Sequence, residues 1–291
     1  MTIEARWIVS TSAGGLHAAA AVLAGAKPVD GKLGPPLADE ISGLAGDLAA
    51  VGVAPEAFFE HAIPLSVRFD APLQLAEVAL TKTSGRRQSD VAAARLARRL
   101  ASLAAAFDHA HPGGLEELEL RTAPLREQWE ARGPGLMAAV RRLTEADVVV
   151  DEADVILVQP VLGGGGQAHP SYNSLHIEAV LANPIDSLPE VARLAWLWAQ
   201  LSLDLPKYQD PLSREALGLV GPLAVLPPVL AGAQEVELMR FERGTLETAL
   251  SAWNVRSADP ETLSQWWETY QATSPTWDVA LAALERMLSS Q

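Results

Sequence analysis

The stretch from Leu188 to Asp204 constrains this chain more than any other. Leu188, Val191, Leu194, Ala195, Trp196, Leu197, Trp198, Leu201 and Leu203 cover most of the circumference of one helix. Only Glu190, Arg193, Gln200 and Asp204 form a narrow polar stripe. A helix apolar on nearly all sides has to be buried, so the fold must be assembled around it. Its start is written in Ser187-Leu188-Pro189-Glu190: serine to cap the exposed amides, glutamate to reach back as in a capping box, proline in the first turn. Pro206 steers Leu205 away from helical geometry and sets the end near Asp204. The polar stripe, and a length short of about 20 mostly apolar residues, separate it from a membrane span.

The segments before it read as strands. Val148–Val150 and Val155–Val158 are short aliphatic runs separated by the polar turn Asp151-Glu152-Ala153-Asp154. Gly163–Gly166 form a glycine loop. Leu175–Leu181 then alternates, with Leu175, Ile177 and Ala179 on one face and His176, Glu178 and Val180 on the other. Asn183-Pro184 stops it.

Elsewhere the periodicity is helical. After a short strand or helix at Ala5–Ser10, helices are expected at Leu16–Ala24, Leu37–Ala50, Pro55–His61 and Ser89–Phe107. Leu73–Leu80 reads as helix, although its alternation leaves a strand open. Leu115–Arg132 is helical with a weak point at Pro124, and Gly133-Pro134-Gly135 separates it from Leu136–Leu143. Leu217–Ala233 is interrupted by Pro222, Pro227 and Pro228 and suggests helix, bend, helix. Thr245–Trp253, Pro260–Tyr270 and Trp277–Leu288 finish the chain as three helices. Strands in the middle with helices on either side predict an α+β fold, mostly helical, with a small central sheet. Residues 1–291 are expected to form one such domain, in which a helical N-terminal subdomain (residues 1–144) could stand apart from a core and C-terminal region (residues 145–291).

A net charge of −14 argues against nucleic acid and against an anionic membrane surface, both of which draw on clustered Lys and Arg. The absence of cysteine excludes disulfides, thiolate chemistry, iron–sulfur clusters and cysteine zinc sites. Glu4 and Arg6 cancel and His17 interrupts the alanine-rich run, so no signal peptide is expected and the expected location is cytoplasmic.

Three groups of residues are candidates for chemistry. Gly163-x-Gly165-x-x-Ala168, within Gly163, Gly164, Gly165 and Gly166, resembles a dinucleotide fingerprint. That motif needs a helix to begin there, whereas a strand is expected, so the plain reading is a mobile loop joining two strands and no cofactor is expected. His176 and Glu178 share a strand face near His169, and this trio is the candidate for acid–base catalysis or metal ligation. No third or fourth metal ligand is signalled, and the plain reading is a solvated strand face. His109 and His111 form a His-x-His at a helix end, where histidine also meets the negative end of the helix dipole. Gly-x-Ser-x-Gly and Ser-x-x-Lys are absent. Trp266-Trp267-x-x-Tyr270 on one helix cannot point wholly inward, since adjacent residues diverge by about 100°; an exposed aromatic making a subunit or peptide contact and an aromatic core are both open.

Taken together, the strand, loop, strand and following helix of residues 147–205 resemble the region around the active helix of zincin metallopeptidases, especially the gluzincin type. The resemblance implies that Leu175–Leu181 is an edge strand that binds extended substrate and that Pro189–Leu203 is the active helix. In that family the helix carries His-Glu-x-x-His, with two zinc ligands and a general base. Here Arg193-Leu194-Ala195-Trp196-Leu197-Trp198-Ala199-Gln200 contains neither histidine nor glutamate. No catalytic residue or metal ligand of the family carries over. The reading that follows is a non-catalytic binding or scaffold protein with a degenerate, metal-free core and a protein or peptide partner. The alternatives are a hydrolase of unrecognised type, using His169, His176 and Glu178 in a shared cleft by the glycine loop, and a homo-oligomeric structural protein built on the C-terminal aromatic helices.

Overall fold

Three serines and an aspartate punctuate the helices of this chain. Ser10, Ser89, Ser213 and Asp259 each accept a hydrogen bond from the backbone amide three residues on, and prolines occupy the first turns after Ala54, Ala71 and Asp259. The computed structural model describes residues 3–29, 31, 35–255 and 259–290. Along them run β1 (Glu4–Val9), α1 (Thr11–Leu23), α2 (Pro35–Ala50), α3 (Pro55–Ser66), α4 (Pro72–Ser84), α5 (Asp90–Ala110) and α6 (Gly114–Leu143). Then come β2 (Glu152–Val158), β3 (Gly166–His169), β4 (Ser174–Glu178) and α7 (Glu190–Trp198). The remainder is α8 (Pro206–Gln209), α9 (Arg214–Ala224), α10 (Leu226–Glu235), α11 (Arg243–Ala252), α12 (Pro260–Thr273) and α13 (Trp277–Ser289).

The chain is a mostly helical α+β fold with a small four-stranded sheet flanked by helices. The strand order is β1-β2-β4-β3, with β1, β2 and β4 parallel and β3 antiparallel on the edge. Alternation along β2 and β4 divides the core in two. Val155, Leu157, Leu175 and Ile177 point into one half, with α6, α7, α10 and the C-terminal helices. Ile156 and Val158 point into the other, with α1 to α5. Packing therefore follows the two faces of the sheet, and β1 pairs with β2 across the 144/145 division.

Several expectations change in detail. Ala146–Val148 form a 3-10 turn, and Val148–Val150 are not a strand; the ladder with β1 begins at Glu152 opposite Glu4. Leu175–Leu181 is not an edge strand. β4 lies between β2 and β3 and ends at Glu178, whose carbonyl accepts the Val180 amide in a tight turn. The edge on that side of the sheet is β3, whose Gly-Gln-Ala-His sequence has little strand propensity. The apolar helix is buried throughout, but ends at Trp198 and gives way to a 3-10 turn at Leu201–Asp204. Its first amide is satisfied by the Asn183 side chain rather than by a Ser187 capping box. Leu73–Leu80 is helical, within α4.

The expected break at Gly133-Pro134-Gly135 does not occur; α6 runs through both Pro124 and Pro134. It is clamped on α10, where Gly232 lets Leu136 and Ala139 approach to 3.0 and 3.3 Å of the position a Cβ would take. Arg214–Glu235, covering α9 and α10, is long and apolar enough to cross a membrane, yet 72% of that window is buried against the rest of the protein. Trp266, Trp267 and Tyr270 are all buried, which removes the exposed aromatic contact; a neighbouring helix covers each side, with Trp266 Nε1 donating to the Ala280 carbonyl of α13.

Ile177 is fully buried at the centre of the sheet. Ile177→Ala is expected to cost about 2–5 kcal/mol of unfolding free energy. Urea denaturation checks this, and a loss under about 1 kcal/mol would contradict the burial.

Candidate functional site

Glu178, at the carboxyl end of β4, is wholly buried. Its Oε1 accepts from the amides of Val161 (2.9 Å) and Leu162 (2.7 Å), and its Oε2 from the amide of Gly164 (2.7 Å). His17 of α1 approaches Oε1 at 2.7 Å through Nε2. The loop between β2 and β3 is thus wrapped around a carboxylate. Gly163 and Gly164 adopt φ of 77° and 127°, where a side chain would be strained, and a Cβ on Gly164 would come within 2.8 Å of Pro184. The glycines that resemble a dinucleotide fingerprint therefore lack its arrangement. No helix follows the glycines, and amides that could cradle a phosphate already hold Glu178. The loop joins two strands, β2 and β3, as expected, and the same contacts fasten it to Glu178.

The predicted solvated face of β4 is corrected too. His176 and Glu178 point at α1 and α3, and together with His169 are at most 2% exposed. They form a buried file: His169 Nε2 to His176 Nδ1 at 2.9 Å, His176 Nε2 to His17 Nδ1 at 3.1 Å, then His17 to Glu178. Burial opposes the charge on Glu178, but the His17 hydrogen bond and the loop amides outweigh it and hold the carboxyl below its usual range. A carboxylate can only accept, so His17 donates to it from Nε2, and the ring nitrogens further along the file pair donor to acceptor according to their tautomers. The file ends at His169 Nδ1, near the Glu60 backbone but without a hydrogen bond of good geometry. Burial lowers His169 to about 3 and, with His17 and His169 nearby, pushes His176 well below the normal histidine value. Sequence reasoning missed His17, which lies in an alanine-rich helix without a motif.

On the other side of the glycine loop a cleft of about 550 Å³ opens between β3 and α7. Its walls include Gly166 and Gln167 of β3, Arg193, Trp196, Leu197 and Gln200 along the α7 side, and Trp253. A smaller cavity of about 200 Å³, lined by Gly163, Pro184 and Glu190, adjoins it, and both cavities share Gly164 and Arg193. Arg193 and Glu190 are 4% exposed and approach at 3.2 Å. Burial raises the Glu190 carboxyl to about 7 against the pull of Arg193. Burial also lowers Arg193, opposed by Glu190 and Glu178. His169, His176 and Glu178 line neither cavity. Of the glycines, Gly164, Gly165 and Gly166 line the larger one. His109 is exposed at the end of α5, and His111 Nδ1 lies 3.2 Å from the Phe107 carbonyl. Among the described residues, no group of three or more His, Asp or Glu side chains is placed to hold a metal ion.

Comparison with known proteins finds no matching family model, no similar curated protein and no similar solved structure.

The buried file gives acid sensitivity. Below an ordinary pKa of 6.5 the unfolded chain protonates its histidines while folded His169 and His176 do not, so stability falls as pH drops from 6.5 toward 3. Glu178, held below 4.5, adds to the loss at the acid end of that window. Glu190, raised to about 7, acts oppositely, its contribution being lost as pH rises through 7. The two histidines outweigh it, with up to about 1.4 kcal/mol per pH unit from each. His169→Gln is expected to be less stable at pH 7 but to show a shallower fall between pH 6.5 and 4.5. Urea titrations at each pH test this, and equal slopes would contradict a neutral buried His169.

Proposed function

We propose that this chain is a non-catalytic binding protein with a degenerate metallopeptidase-like core, and that the cleft between β3 and α7 receives a segment of a protein or peptide partner. The observation that carries the reading is the cleft wall itself. Its helix presents Arg193, Trp196 and Leu197 at the cavity, none of which ligates zinc or serves as a general base. The antiparallel edge strand beside the helix supports the zincin resemblance, with β3 in the role first expected of Leu175–Leu181. β3 pairs with β4 on one side only among the described residues, so its outer edge suits an extended backbone.

The hydrolase alternative requires His169, His176 and Glu178 to meet a substrate in a cleft, and their burial away from both cavities speaks against it. The burial of Trp266, Trp267 and Trp277 speaks against an oligomer built on exposed C-terminal aromatics. The acidic charge supports a protein that engages neither nucleic acid nor an anionic membrane surface.

Metal content measured by mass spectrometry, before and after zinc addition and dialysis, tests the reading together with a peptide-hydrolysis assay. No stoichiometric metal and no hydrolysis are expected. One metal per chain with metal-dependent cleavage would overturn it.

A further inference from the structure

The cleft holds an unusual group for a buried wall. Arg193 is 4% exposed, lines both adjoining cavities, and its Nε has no hydrogen-bond partner. A guanidinium carries five donors in a planar fork, and burying it without acceptors is costly. Its internal partner is incomplete. One Nη approaches one oxygen of Glu190 at 3.2 Å, and the other oxygen, Oε2, is itself buried and unpartnered. Glu178, the other carboxylate whose charge reaches Arg193, is already held by His17 and three loop amides.

The surroundings leave the guanidinium room. A side chain at Gly164 would stand 3.4 Å from both terminal nitrogens, and the backbone there is held by Glu178 in a conformation that excludes one. One face of Arg193 looks toward the ring of Trp253, 5.9 Å from its centroid. Trp196 and Leu197 continue the apolar wall. The arrangement is a buried cation with spare donors at the junction of two cavities, beside aromatic surface.

We propose that the cleft is a carboxylate-binding site, in which Arg193 takes the carboxylate of the ligand and Trp196, Leu197 and Trp253 take its apolar remainder. This rests on the binding reading above and names its chemistry. The carboxylate is either the free C-terminus of an extended peptide lying along β3 or that of a small apolar acid. Glu190 competes for the same guanidinium. Its replacement by a neutral side chain frees the fork for the ligand.

Calorimetric titration of the full chain at pH 8 tests the proposal. The probes are N-acetyl-Ala-Val-Ala-Phe with a free carboxylate, the same peptide as its C-terminal amide, and N-acetyl-phenylalanine. The acid is expected to bind at least about tenfold more tightly than the amide, the worth of one charge-assisted contact. Arg193→Gln is expected to abolish that preference, and Glu190→Gln to strengthen binding of the acid several-fold without changing the amide. Tighter binding of the peptide acid than of N-acetyl-phenylalanine identifies a peptide terminus as the source, and equal binding identifies a small acid. Equal affinity for acid and amide would overturn the carboxylate site and leave the binding reading standing. No binding of any probe by folded protein would overturn both. Should Arg193→Gln not fold, Glu190→Gln decides alone, since weaker binding of the acid in that variant contradicts the competition.

Discussion

The carboxylate of Glu178 is the interaction on which the centre of this molecule depends. A charged group without exposure is tolerated only where donors surround it, and here they come from two distant regions of the chain. The amides belong to the loop between β2 and β3, and the imidazole to α1. One residue therefore fixes the loop, ties the first helix to the sheet and orients a file of three imidazoles. The edge strand begins directly after that loop, so the mouth of the cleft inherits its geometry from a group that never reaches it.

The two faces of the sheet have been given different chemistry. Beneath α1 and α3, His176 and Glu178 of β4 are sealed from solvent and hydrogen-bonded within the file. Beneath α7 the sheet is apolar, and two buried polar atoms without partners, Arg193 Nε and Glu190 Oε2, belong to side chains that line a cavity. A hydrogen-bonded buried network specifies packing, and here it lies apart from the cleft beside α7.

How much of this was legible in the sequence follows from the kinds of signal available. The class of fold and the burial of α7 were readable, because Trp196, Leu197 and Trp198 leave no solvent face. The alternation of Leu175 and Ile177 correctly gave the side on which their partners fall. The polar residues misled for a physical reason. Alternation reports that His176 and Glu178 share a face, but not whether a helix from far away in the chain covers it. His17 supplies that cover and offers no local signal. β3 was missed because Gly-Gln-Ala-His has no strand propensity and is held only by its ladder to β4. The proline-bearing α6 shows the opposite case, local breakers overridden by tertiary packing.

The pairing of β1 with β2 has a consequence for the order of assembly. Arg6 and Asp154 are neighbours in space yet 148 residues apart in sequence. During synthesis β1 emerges before β2 and cannot pair with it until five helices and the long α6 have been made. The helices can collapse early, because their contacts are local. The sheet cannot, because its first strand waits for its second, and that strand's outer side waits for β4 in turn. High contact order of this kind slows folding and leaves an apolar strand searching for a partner in the interval. Trp7, Ile8 and Val9 are the residues that would carry that burden on the ribosome.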